Sequence, residues 1–281
     1  VAKSALAGVL GKVSEDSLVL IDGLVASTVP DVLVPQAHRL RLVILVHMPL
    51  ENEAEGAALA AAQAVITTSE WARDRLLELY PLVPQRVHVA APGVDVTPVA
   101  PGSESGQELL CVAAVTLQKG HDVLAEALTL IGDLSWKCVC AGSLTREPEL
   151  VRRLASQLNF AGPLTGAGLD EAYTKADLLV LPSRGETYGM VITEALARGI
   201  PVIATNTAGI PEALGHAPDG SQPGILTERG DPVALSAALR QWLTDPVTRQ
   251  RLRESARARR TTLTGWPDTV ARVAKVLEEV R

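Results

Sequence analysis

Short apolar runs alternate along the chain with stretches whose apolar residues recur every three to four positions. Residues 18–21, 40–46, 64–66 and 87–90 read as strands buried on both faces. Residues 2–13, residues 51–62 and the stretch carrying Trp71, Arg73 and Leu76 read as helices; Thr68 or Ser69 can cap the last, and Pro81 stops it. Residues 98–107 break the pattern with Pro, Gly, Ser and Glu and read as a linker. A second series follows: strands at 109–113, 137–141 and around 225–226, and helices at 122–130, 149–158, 169–175 and from Asp231-Pro232 to Leu243. Strands alternating with helices predict parallel, doubly wound sheets, and therefore ligand-binding loops at the strands' C-terminal ends.

Residues 178–205, LLVLPSRGETYGMVITEALARGIPVIAT, form the centre of that second series. The spacing predicts a strand over 178–181, a helix from about Tyr188 to Ala197 stopped by Gly199, and a strand over 201–204. Glu186 lies in the loop and Glu194 eight positions on, within the helix. The amides of residues 187–190 at the helix N-terminus favour an anion such as phosphate. Carboxylates for sugar hydroxyls beside amides for a diphosphate suit a nucleotide sugar.

Composition narrows the class. A chain of 281 residues with 47% hydrophobic content can fill two domains, and a net charge of −6 gives no bulk electrostatic case for nucleic acid. One Phe and three Tyr supply no stacking platform for single strands either. Cys111, Cys138 and Cys140 all sit inside apolar runs, Cys138 and Cys140 lack His partners at metal spacing, and all three read as buried free thiols in a reducing, cytoplasmic setting. Neither a signal peptide nor a membrane span is visible. The arginine-rich residues 249–260 fit a helix, either one drawn to anionic lipid or one with a solvated face; Glu254 and the thin apolar face favour the second.

The runs CVAAVTLQKGHDVLAEAL (111–128), GETYGMVITEALARGIPVIAT (185–205), NTAGIPEAL (206–214) and GILTERGDPVALSAAL (224–239) together resemble the nucleotide-sugar-binding domain of the retaining GT-B glycosyltransferases of family 4. LVHMPLENE (45–53) and RVHVAAPGVD (86–95) in the first half are also similar to that family. The resemblance implies an α/β GT-B fold, two Rossmann-like domains facing across a cleft, with the first incomplete. It divides the chain into an acceptor-side domain over 1–97, onto which 265–281 crosses back through Trp266-Pro267 and a helix over 268–280, and a donor domain over 98–264. It implies transfer of a hexose from a nucleotide diphosphate sugar to an acceptor hydroxyl (sugar, lipid or small molecule) with retention, without metal or other cofactor.

Position by position, the resemblance gives Lys119 to the diphosphate, Glu186 to the hexose hydroxyls and Glu194 to the ribose. It gives the amides of Tyr188, Gly189, Met190 and Val191 to hexose and phosphate, and His47 to the sugar at the reaction centre. Two positions depart from the pattern. Ala114 stands where the family has an arginine supporting the diphosphate, with Arg146 or Arg184 as substitutes, and the family's opening strand, glycine-rich loop and first helix have no counterpart. A phosphorylase, a sugar-nucleotide epimerase and a non-catalytic nucleotide-sugar-binding module are the alternatives. On residues alone, His121 reads as structural, and Gly120, Gly142 and Gly209 as turn positions.

Overall fold

A computed structural model describes residues 2–280. The chain divides into two compact units, one running to Gly93 and resuming at Thr264, the other Val94–Leu263. The first unit contains α1 (Ala2–Leu10), β1 (Leu18–Asp22), α2 (Gly23–Thr28), α3 (Pro30–Leu33), β2 (Arg41–Val46), α4 (Glu53–Ala61), β3 (Ala64–Thr67), α5 (Glu70–Leu79) and β4 (Val87–Val89). Its four strands are parallel in the order β1-β2-β3-β4. Leu42, Ile44 and Val46 of β2 join Leu10, Leu33, Leu59 and Leu76 in one apolar layer, while Val43 and Ile66 face the other way. That alternation is what a strand buried on both faces requires.

The second unit contains β5 (Glu108–Val112), α6 (His121–Leu130), β6 (Lys137–Ala141), α7 (Pro148–Leu154), β7 (Asn159–Gly162), α8 (Ala167–Lys175), β8 (Leu178–Leu181), α9 (Met190–Ala197), β9 (Val202–Thr205), α10 (Ile210–Leu214), β10 (Gly224–Thr227), α11 (Pro232–Thr244) and α12 (Pro246–Arg259). The chain then returns to the first unit as α13 (Trp266–Glu279), whose Val273, Val276 and Leu277 cover the second face of the β1–β4 sheet. Gly93 lets that helix begin where it does, because a Cβ there would lie 2.3 Å from the Trp266 nitrogen.

All six strands of the second unit are parallel, in the order β10-β9-β8-β5-β6-β7. Strand order therefore reverses between β5 and β8, and in open parallel sheets ligands bind at such a point, outside the strands' C-terminal ends. The short edge strand β7 was not expected; alternately exposed Asn159 and Ala161 leave it too little apolar signal.

Residues 98–107 are not a free linker. Ala100 is buried and its amide donates to the Arg198 carbonyl at 2.9 Å, while Trp242 Nε1 donates to the Gly106 carbonyl at 2.7 Å. The fully buried Asp177 carboxylate accepts from the Ser103 amide, from Ser103 Oγ at 2.6 Å and from the Glu108 amide at 3.0 Å, and pairs with Arg253 at 3.1 Å. The segment packs through its backbone, so its side-chain composition carries no periodicity.

Three arginines of α12 and the turn after it depart from both expected readings. Arg249 donates to the Trp242 carbonyl, Arg259 to that of Leu214 and Arg260 to that of Ala197. These carbonyls lie in the last turns of α11, α10 and α9, where unpaired acceptors and the negative end of the helix dipole favour cations. These three charges face inward and tie three helices together, while Arg251, Glu254 and Arg257 of α12 are exposed and form the solvated face that was expected.

Candidate functional site

The loop after β5 begins at Ala113 and turns through a single 3₁₀ turn, residues 117–119, with Thr116 Oγ1 accepting from the Lys119 amide at 3.2 Å. Gly120 ends the turn at φ +71°, and a Cβ there would stand 2.0 Å from the Pro182 carbonyl. Gly120 thus does more than turn the chain: it lets the loop after β5 press against the loop after β8. Gly209 does the same on the other side, where a Cβ would lie 2.0 Å from the Thr187 carbonyl and the amide donates to the Glu186 carbonyl at 2.9 Å. At Gly142 a Cβ would meet the Ala113 carbonyl at 1.9 Å. Each glycine marks a backbone contact between neighbouring strand-end loops.

At the β5/β8 switch point the two loops are joined by side chains as well. Lys119 Nζ lies 2.5 Å from Glu186 Oε1, and Ser183 Oγ donates to the same oxygen at 3.0 Å. The Arg184 amide donates to the Gln118 carbonyl at 2.8 Å. Its guanidinium grips both oxygens of Asp122 at 2.8 Å and also reaches the Leu117 carbonyl. Burial pushes the Asp122 carboxyl up, but the hydrogen bonds and charge of Arg184 outweigh it and hold the group below its ordinary value. Arg184 is therefore spent as a strut between the loops. Arg146, in the loop after β6, is exposed and makes neither a hydrogen bond nor an ion pair among the described residues.

The helix α9 starts at Met190, two residues later than its apolar spacing suggests, because Gly189 takes φ +92° and keeps Tyr188 in the loop. Gly189 brings no side-chain cap, and the first turn holds no acidic residue, so the amides at this N-terminus meet no acidic side chain of that turn. Met190 is half-exposed and Val191 partly buried. Glu194, one turn further, accepts from Tyr173 Oη at 2.7 Å. Lys119 and Glu186 are thus brought into direct contact, with Tyr188, Gly189, Met190 and Val191 following Glu186 in the same strand-end loop and helix start. Glu194 is held from α8.

His47 directly follows β2 in the first unit, half-exposed, with Nε2 3.0 Å from Asp22 Oδ2. Sequence reading missed Asp22 as its partner. Parallel pairing aligns Asp22 with Leu45, so the two strand ends emerge side by side. Asp22 Oδ1 also caps α2, accepting from the Leu24 amide at 2.8 Å. The contact with Asp22 occupies Nε2 and leaves Nδ1 as the other ring nitrogen. The loop beyond is anchored by buried Glu55, which accepts from the Leu50 and Glu51 amides and from Tyr80 Oη at 2.7 Å.

All three cysteines are free and buried, as expected from the sequence, and tertiary pairing adds a histidine that linear spacing does not reveal. The topology brings His121 Nε2 to 3.9 Å from Cys111 Sγ, and Cys140 Sγ joins them within 4.8 Å, all three residues fully buried. Hydrogen bonding with Cys140 and burial push the Cys111 thiol well up. No helix among the described residues is long and apolar enough to cross a membrane.

Residues 99–259 match the family model described as glycosyl transferases group 1. The chain is 30% identical over 255 residues to D-inositol 3-phosphate glycosyltransferase 1 of Catenulispora acidiphila, covering 81% of this chain and 60% of that one. It is 32% identical to the D-inositol 3-phosphate glycosyltransferase of Thermomonospora curvata, covering 79% and 58%. The chain thus spans less than two thirds of the length of these relatives. Among solved structures, Anabaena HepE in complex with UDP-glucose superposes with a TM-score of 0.80 at 17% identity, covering 98% of this chain and 81% of that one, a likeness of fold alone. That fold is the GT-B class expected from the motifs. With the family model covering most of the second unit, the chain belongs to the glycosyl transferases group 1 family.

Proposed function

We propose that the second unit binds a nucleotide diphosphate sugar and that the protein transfers the hexose to an acceptor hydroxyl with retention of anomeric configuration. The observation that carries this reading is the Lys119–Glu186 pair between the loops after β5 and β8, where strand order reverses. In this reading Lys119 and the first amides of α9 take the diphosphate, Glu186 the hexose hydroxyls and Glu194 the ribose. Arg146, on the same edge of the sheet, supplies the second cation in place of the arginine absent at Ala114.

During transfer the bond from the anomeric carbon to the β-phosphate oxygen breaks, and the electron pair leaves on the phosphate. The acceptor oxygen bonds to the same carbon from the same face, and its proton passes to the departing phosphate. Lys119 and the α9 amides stabilise the charge that grows there, so these protein groups carry the load without a metal or other cofactor. His47, held by Asp22, contacts the reacting sugar through Nδ1. Cytoplasmic enzymes meet such donors directly, and this is the location we propose.

UDP-glucose, the ligand of HepE, is the first donor to test, with D-inositol 3-phosphate, named for the relatives, as first acceptor. UDP release that depends on an acceptor is expected; release without one, or none with any panel of UDP, GDP and ADP sugars, contradicts the reading. Glu194→Ala is expected to weaken nucleotide binding by about 1–3 kcal/mol, the worth of hydrogen bonds to a charged acceptor. Calorimetry checks this, and unchanged affinity removes Glu194 from the ribose. His47→Ala is expected to lower turnover more than donor affinity; equal losses in kinetics and binding would make it a binding residue only.

A further inference from the structure

Tyr173 of α8 is almost fully buried, a position usually left to apolar side chains, yet its hydroxyl donates to Glu194 Oε2 at 2.7 Å. The ring is pinned from its other face by Arg198, whose guanidinium stands 4.5 Å from the ring centroid. Arg198 is fixed in turn, donating to the Glu194 carbonyl at 3.0 Å and to Asp170 at 2.5 Å. Two elements, α8 and α9, are thereby locked around one carboxylate. A phenol has one proton to donate, so this contact occupies Oε2 and sets the rotation of the carboxylate. Burial and the charge of Glu194 push the Tyr173 phenol far up, which keeps that proton in place.

We propose that Tyr173 is a positioning residue for ribose recognition: by holding Glu194 Oε2 it fixes Glu194 Oε1 as the acceptor for a ribose hydroxyl. The inference rests on the ribose role given to Glu194 above. Its energetic logic is preorganisation, since a carboxylate already in the binding rotamer loses less freedom when the ligand arrives. Tyr173→Phe keeps the ring, the packing and the cation above it, and removes only the donor. Arg198→Gln loosens the ring without touching the carboxylate.

The experiment measures binding of UDP, GDP or ADP, whichever the unmodified chain holds most tightly, and of its 2′,3′-dideoxy analogue. Tyr173→Phe is expected to weaken the ribonucleotide roughly tenfold, the effect of one charge-assisted hydrogen bond, and to leave the dideoxy analogue unchanged. Arg198→Gln should show the same selectivity with a smaller loss. Equal losses for both nucleotides would mean general damage and overturn the inference. No selective loss in either variant, with Glu194→Ala still abolishing discrimination between the nucleotides, would overturn it while leaving Glu194 at the ribose. If Glu194→Ala keeps full discrimination, the ribose assignment itself falls.

Discussion

Lys119→Ala is expected to reduce kcat by roughly 10²- to 10³-fold, the range seen when one preorganised stabiliser of developing charge is removed. Two effects add. The ammonium that would face the departing diphosphate is lost, and Glu186, only 13% exposed, is left without the cation 2.5 Å away, with Ser183 still donating to it. An unpaired carboxylate beside a departing diphosphate repels the charge that the site must gather. Adding Glu186→Gln to the lysine variant should therefore recover part of the loss. Steady-state kinetics, with melting temperature as a control for folding, decides it: a kcat within threefold of the original chain would take Lys119 out of the reaction.

Asp177→Ala is expected to destabilise the second unit by about 3–5 kcal/mol, the cost of breaking a buried ion pair by removing one partner. The carboxylate is fully buried, and its loss strands the Ser103 and Glu108 amides as well as Arg253, whose side chain is only 18% exposed. Arg253 also stands 5.5 Å from the Trp242 ring centroid, so denaturant unfolding followed by tryptophan fluorescence should register the change near its origin. A loss below about 1 kcal/mol, the worth of an exposed pair, would show that residues 98–107 are held by other contacts.

The strand-helix alternation and the positions of the loops after β5 and β8 were legible because they depend on local pattern. Lys119, Glu186 and Glu194 sit where strand ends and helix starts put them, and the apolar runs marked those ends. What escaped was set by tertiary pairing. Asp22 meets His47 only because β1 and β2 run parallel in one register, 25 residues of sequence apart. His121 joins Cys111 and Cys140 through the neighbouring strands β5 and β6 and the start of α6, which no linear ligand spacing encodes. Arg184 and Arg146 are indistinguishable as letters, yet one is consumed by Asp122 and the other is exposed. Arg249, Arg259 and Arg260 look like surface charge until the carbonyls they cap are in place.

The reversal of strand order has a consequence for how the chain assembles. β5, β6 and β7 form one three-stranded half and β8, β9 and β10 the other, and within each half sequence neighbours lie side by side. The seam between the halves joins β5 to β8, and the lysine and glutamate that span it are 67 residues apart. Closing so long a loop is an entropic cost that nearest-neighbour strands avoid. A ligand that touches the loops after both β5 and β8 binds only the joined form, so its binding free energy appears as added stability of the seam. A ligand bridging the two loops would thus act as a clasp on the seam between the two halves.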